Sequence, residues 1–419
     1  MDRTKFALEG KPRIQILDKV CIILLALCPI LQHYRGLFVN AAVTVLLIVT
    51  PYAIFKMIRK RYIYSNDISF VFPLIIYFFY KVIDHGTTVT ELGQAVIFTI
   101  LVIAISSGCF NTKYFIRVIT IISLVACICI IAQYICYYIL HFHIQFVPTS
   151  LLLDRSNQWV LAVKTGRASI TGRMTKFYRP SAFFLEPSHM FIYMFTPLVL
   201  NVFSDDFGKR ERNLSVLLTI GMILSTSGMG ILTAIGVWII NFGKKKGGFS
   251  LAYFFQPKTV LLIFVMILGI VIMYFKVPFF QNSIMRIFGS GQDYTNAISG
   301  RVSSGNNLIS QIRGTQLLIG VEDRLTGIEF NMSGFNATMY QFGIIGIILS
   351  YIFYIQGIFR LKGLYFWLSI IIIVLSFFSS HTHSTMFMIY SAFVFVDGYR
   401  SKTYNYKDQL TSTLFQQIE

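Results

Sequence analysis

The chain reads as an all-α integral membrane protein: about twelve transmembrane helices, both termini in the cytoplasm, and two long, partly helical loops on the outer side. Three observations predict this class. Of 419 residues, 55% are hydrophobic and 13% are charged, where a soluble domain carries roughly twice that charged share. The apolar residues fall in blocks rather than at helical or strand period, so lipid and neighbouring helices must bury them. The basic residues sit in short clusters between those blocks, the positive-inside pattern of cytoplasmic loops. The formal charge of +18 is on that reading a topology signal, and no nucleic-acid partner is expected.

Apolar runs centre on residues 20–34, 37–55, 68–83, 92–110, 115–140 and 188–203, then 214–226, 228–242, 259–275, 335–359, 364–380 and 384–397. A span needs about 20 residues, so several runs borrow flanking residues or tilt. The stretch 214–242 fits either one long span or a hairpin. Lys209, Arg210 and Arg212 precede it and Lys244, Lys245 and Lys246 follow it. Both ends then prefer the cytoplasm, which requires an even number of crossings. The breaker-rich Ser225-Thr226-Ser227-Gly228-Met229-Gly230 becomes the hairpin tip. The same reasoning applies to 364–397, between Arg360 and Lys362 on one side and Arg400 and Lys402 on the other, with Ser380-His381-Thr382-His383-Ser384 as its tip. Twelve crossings put Lys56, Arg59, Lys60 and Arg61 inside and leave Arg35 and Lys81 in short outer turns.

Two long loops remain outside, residues 141–187 and 276–334. They are neither Gly/Ser-rich nor Pro-rich and keep Trp159, Phe177, Tyr178, Ile284 and Phe288. They are expected to be caps packed on a single membrane domain that runs from 1 to 419. The six cysteines (21, 28, 109, 127, 129 and 136) avoid both loops, so no disulfide framework is implied. The first apolar run is followed by Gln32-His33-Tyr34-Arg35, not by the small residues of a signal-peptide cleavage site.

Chemistry-bearing residues concentrate in these outer segments. The first loop ends in Arg179-Pro180-Ser181-Ala182-Phe183-Phe184-Leu185-Glu186-Pro187-Ser188-His189. Pro187 suits a first helical turn, and Glu186 then sits where the helix dipole favours negative charge. Glu186 is either a cap balanced by Arg179 or a working carboxylate. Arg155, Lys164, Arg167, Arg173 and Lys176 share the loop with only Asp154 and Glu186 opposing. Such a surplus meets lipid headgroups or grips an anionic ligand, which arginine does bidentately. Arg301 and Arg313 in the second loop are candidates to join Arg179 on one anion. The glycines of Leu317-Leu318-Ile319-Gly320 and Gly343-Ile344-Ile345-Gly346 suit close helix packing. His381 and His383, at a hairpin tip, are either incidental or able to take a proton. The sequence holds no zinc-type spacing, phosphate-cradling Gly-Lys-Ser/Thr loop or nucleophile elbow, so no metal or other cofactor is expected.

The run from Arg179 to His189 resembles the Arg-x-x-x-Phe-x-x-Glu-Pro-Ser stretch of bacterial O-antigen and exopolysaccharide polymerases, the Wzy family. The order of later pieces is similar too: a Ser-Thr-Ser-Gly tip, a long loop with Ser299-Gly300-Arg301 and Leu-Ile-Gly, then a helix with Gly-Ile-Ile-Gly. Together the likeness covers roughly residues 140–360. It implies the C-type glycosyltransferase architecture shared by O-antigen polymerases and ligases. Ligases carry an arginine at the hairpin tip and a histidine late in the second loop. This chain has Gly228 and Met229 at the first place and Ser333-Gly334-Phe335-Asn336 at the second, which favours a polymerase. The Arg-x10-Gly pattern of some polymerases fits once, from Arg155 to Gly166, while Arg324 to Gly334 is one residue short.

What the resemblance implies is glycosyl transfer on the outer face of a bacterial inner membrane. A growing glycan on undecaprenyl diphosphate would move onto a fresh lipid-linked repeat unit, with membrane lipids and a chain-length regulator as further partners. Glu186 is the leading base, with His381 or His383 behind it. Arg179 and Arg301 would answer the charge on the diphosphate leaving group, with Arg155, Arg167, Arg173 and Arg313 holding diphosphate or glycan. The rivals are an O-antigen ligase and a flippase for the same lipid-linked sugar. Transporters place ionisable residues inside spans, whereas here the charge is parked in the outer loops.

Overall fold

The structure is a computed structural model. It describes residues 15–37, 40–60, 65–83, 88–142, 144–152, 180–204, 208–242, 244–245, 248–249, 255–276, 281, 285, 305–321 and 332–416. Twelve of its helices lie over the twelve apolar runs: α1 (Ile16–Leu31), α2 (Ala41–Lys60), α3 (Ser65–Ile83), α4 (Val89–Ser106), α5 (Thr112–Tyr138), α6 (Pro187–Val202), α7 (Lys209–Leu224), α8 (Gly228–Phe242), α9 (Pro257–Lys276), α11 (Gly334–Arg360), α12 (Leu364–Phe378) and α13 (Thr385–Gln416). Between α9 and α11 lies the short α10 (Thr315–Ile319). Among the described residues the strands amount to a two-residue antiparallel pair, Lys244–Lys245 with Gly248–Phe249. Among the described residues four helices are long and apolar enough to cross a membrane: α2 over Ala41–Arg59, α4, α5 and α11. Ile68–Ile83, Gly228–Phe242 and Leu364–Phe378 are shorter apolar helices.

Sequence explains where the helices start and stop. Thr88 and Glu91 form a capping box on α4, and the Asn111 side chain caps α5, each satisfying amides that have no partner inside the helix. The stretch 214–242 is two helices, as the flanking charges require. Its turn is buried at Ser225, Thr226 and Ser227. Gly230 lets α8 approach α6, since a Cβ there would press on Phe191.

At the centre stands α6. Almost all of its residues are buried, as befits a helix that is apolar all round, and the first part of α13 is likewise enclosed from Met386 to Val396. The Tyr390 hydroxyl donates to the Tyr193 carbonyl at 3.0 Å, and the Tyr193 hydroxyl to the Ala26 carbonyl at 2.9 Å. Those two bonds tie α13, α6 and α1 into one frame.

Contacts sort the segments between helices into two ends. At one end Asp18 pairs with Lys56 at 2.5 Å and accepts from the Tyr52 hydroxyl at 2.7 Å. There too Asp397 accepts from Thr112 and Tyr365, and Arg400 donates to the Ser106 carbonyl. At the opposite end the α1–α2 turn meets both described ends of the first long loop. Arg35 donates to the carbonyls of Leu151 and Leu152 at 2.8 and 3.1 Å, and the Tyr34 hydroxyl to that of Phe183 at 3.4 Å. The turn Ser380–His383 lies at this end as well, as a single 3₁₀ turn.

Candidate functional site

Residues 180–186 run along this loop-bearing end and are pinned from several sides. Ala182 adopts a left-handed φ of 51°, and its N–H donates to Gln133 Oε1 at 3.0 Å. Gln133 Nε2 donates in turn to the Ile144 carbonyl at 3.3 Å. One side chain of α5 thus fastens both ends of the first loop. Ser181 Oγ closes a small turn on the Phe184 carbonyl at 2.7 Å.

Glu186 is the residue before the first turn of α6, with Pro187 at the first helical position. Its carbonyl accepts from the amides of His189 and Met190, but its carboxylate makes no capping bond. Instead Oε2 accepts from Ser188 Oγ at 3.0 Å, and its charge acts on His33. Glu186 thus holds the N-cap position without a capping bond from its side chain, and Arg179, its expected partner, lies outside the described residues.

Three imidazoles meet beside it. His189, in the first turn of α6, stacks on His33 of the α1–α2 turn, with centroids 4.5 Å apart and planes at 13°. His189 Nε2 lies 2.5 Å from His381 Nε2 on the 3₁₀ turn. Burial pushes the His33 pKa down to about 4, the Glu186 carboxylate offsetting part of that shift. A pocket opens against the rings, lined by Pro29, Gln32, Phe184, His189, Tyr193 and His381. Two ring nitrogens at this separation share one proton, one donating and the other offering its lone pair. Such a pair, with a carboxylate nearby, has one ring nitrogen whose lone pair can accept a proton.

Of the residues expected from sequence, the structure brings Glu186 and His381 together. It places His383 on the far side of the same turn, 6% exposed, donating through Nε2 to the Ser376 carbonyl at 3.2 Å. Arg313 is exposed, with Nη1 donating to the carbonyl of its neighbour Ile312 at 3.0 Å, and no described contact links it to the imidazoles. Arg155, Arg167, Arg173, Arg179 and Arg301 lie outside the described residues, as do Lys164 and Lys176. Among the described residues no group of three His, Cys, Asp or Glu side chains is arranged to hold a metal ion.

Sequence reasoning passed over His33 and His189. A signal for them exists: all seven histidines (33, 85, 141, 143, 189, 381 and 383) fall in or within a turn of segments assigned to one end of the bundle.

No protein-family model, curated protein or solved structure matches the chain. The site therefore stands on its own geometry.

Proposed function

We propose that the chain is a glycan polymerase of a bacterial inner membrane, spanning it about twelve times with the imidazole cluster on the outer side. In this reading it moves a growing glycan from undecaprenyl diphosphate to the non-reducing sugar of a new lipid-linked repeat unit. The bond between the anomeric carbon and the diphosphate oxygen breaks, its electron pair leaving with the diphosphate. The acceptor oxygen bonds to that carbon and gives its proton to the His189–His381 pair. Glu186 favours the protonated cluster through its charge. The outer-loop arginines (Arg155, Arg167, Arg173, Arg179, Arg301) answer the leaving diphosphate, the role in which preorganised donors are worth most.

The observation that carries the reading is the junction of Glu186, His33, His189 and His381, reached from the Arg179–His189 segment. General-base catalysis needs a positioned group that can accept the proton of the acceptor hydroxyl, and an imidazole lone pair of the cluster supplies one. Asp397, 7% exposed in α13, is the observation that favours a transporter, because buried acids in spans mark ion pathways. Its donors, Thr112 and Tyr365 at 2.6 Å each, are among the first residues of α5 and α12. It ties helix ends at the pole opposite the histidines.

The test is the length distribution of surface glycan in a deletion strain complemented with the wild-type gene or with His381→Asn. A polymerase requires that the variant strain keep single capped units at normal protein level. Loss of capping would instead indicate a ligase, and loss of all surface glycan a flippase.

A further inference from the structure

The Ser380–His383 turn has a second face, where three buried polar atoms find no hydrogen-bond partner among the described residues: Tyr77 Oη, Tyr351 Oη and His383 Nδ1. Native interiors rarely leave such groups unmet. They lie together. The His383 and Tyr351 rings are 5.4 Å apart, and the Tyr77 ring packs on the same helix as Tyr351 at Phe342, with centroids 6.3 Å apart. One turn beyond Tyr77, Lys81 places its Nζ 5.4 Å from the Tyr77 ring centroid and 5.2 Å from that of Phe342, and its charge reaches His383. Among the described residues no carboxylate pairs with Lys81; the ion pair there is Lys56 with Asp18.

Phe342 is held in place by a break in α11. Gly343 takes φ 60°, ψ −164°, and a Cβ there would run into the Leu318 carbonyl. The Tyr340 carbonyl, which would serve Ile344 in an unbroken helix, accepts from Val321 N–H at 2.9 Å, and the Phe342 carbonyl accepts from the Tyr80 hydroxyl at 2.9 Å. The Tyr340 and Phe342 carbonyls at the break are thus satisfied, while the three polar atoms beside it are not.

The inventory of those atoms defines a ligand. A carbonyl only accepts, so His383 Nε2 carries the proton toward Ser376 and Nδ1 is left as a lone pair. That lone pair needs a donor. The ammonium of Lys81 and the two phenols need an acceptor, best an anionic one. We propose that this face is a second binding site, for a hydroxylated anion: a sugar bearing a phosphoryl or a carboxylate group. The site stands on the unmet atoms; that its natural occupant is the second lipid-linked sugar rests on the proposed function.

The experiment is thermal unfolding of the purified full chain in detergent, titrated with glucose 1-phosphate and with glucuronate. At least one of these raises Tm saturably; the better of the two names the anionic group. Inorganic phosphate and glucose, each half of the chemistry, bind at least ~10-fold more weakly, because each leaves site groups unpaired. Lys81→Met abolishes the shift. Tyr77→Phe and Tyr351→Phe keep the ligand-free Tm, since each removes an orphan hydroxyl, yet weaken binding at least ~10-fold. No saturable shift, a shift unchanged in Lys81→Met and Tyr351→Phe, or phosphate binding as well as glucose 1-phosphate would overturn the proposal. The readout is binding alone. A protein that binds as described but makes no polymer would sink the proposed function and leave this site standing.

Discussion

His381 and His383 occupy one 3₁₀ turn and meet opposite surroundings. On the His381 side lie two further imidazoles and a carboxylate, next to a pocket. On the His383 side lie two tyrosines and a lysine, with the imidazole bonded to a backbone carbonyl. In a 3₁₀ turn each residue advances about 120°, so positions two apart point to different faces. In the proposed reading, two histidines spaced this way serve two sites, with the turn as the wall between them. One side is suited to moving a proton, the other to holding a charged sugar.

That contrast is broken most easily on the His381 side. His189→Gln and His381→Asn are each expected to cut polymer formation at least ~100-fold, the usual worth of a positioned base, with unchanged protein level in the membrane. Short single units on the surface at normal abundance are the sign to look for.

A smaller loss is expected for Glu186→Gln. The carboxylate does not cap α6, so the helix start should survive and Tm should hold. Its charge favours the protonated form of the neighbouring His33, so its removal is expected to cost less activity than the loss of either paired imidazole. Normal-length polymer from this variant would take Glu186 out of the chemistry and leave the three imidazoles alone.

How much of this was legible beforehand differs by element. The twelve helices follow from hydropathy, and the two-helix reading of 214–242 from Lys209 and Lys244 with their neighbours, because both signals are local. Glu186 before Pro187 was legible as a helix start for the same reason. His33 and His189 were not, since stacking between α1's exit and α6's first turn depends on how the bundle closes. His381 and His383 looked equivalent because hydropathy carries no information on which face of a turn a side chain takes. The second outer loop shows the same limit: Gly320 and Gly343 were expected at close packing, and they do sit tight, Gly320 against the Gln341 backbone and Gly343 against that of Leu318, but the break in α11 has no sequence mark beyond the glycine itself.

Gly343→Ala sharpens the His383 side. A left-handed backbone costs a non-glycine residue about 1–2 kcal/mol, and the new Cβ meets the Leu318 carbonyl. Tm should fall, and the glucose 1-phosphate shift should weaken as Phe342 moves off Lys81. An unchanged Tm would mean that the break is not needed.

The smallest effect is on stability against pH. Burial holds His33 and His383 neutral, with pKa values near 4 against 6.5 for the exposed group. Between these values the unfolded chain binds more protons than the folded one, so stability falls as pH drops from about 6.5 to about 4 and levels off below that. Unfolding measured across this window should slope in the wild type and slope less in His383→Gln. A slope of the opposite sign would mean that the folded chain charges these imidazoles more readily than the unfolded one does.

The central claim is that His189 and His381 act as one proton-transferring unit through the 2.5 Å contact between their rings. The direct test is a double-mutant cycle on polymer formation, with His189→Gln, His381→Asn and the pair. Residues that act as a unit are non-additive. The account predicts that the double variant is no worse than the more damaged single one. Losses that multiply, at least ~100-fold for each substitution and the product of the two for both, would show two independent residues and contradict it.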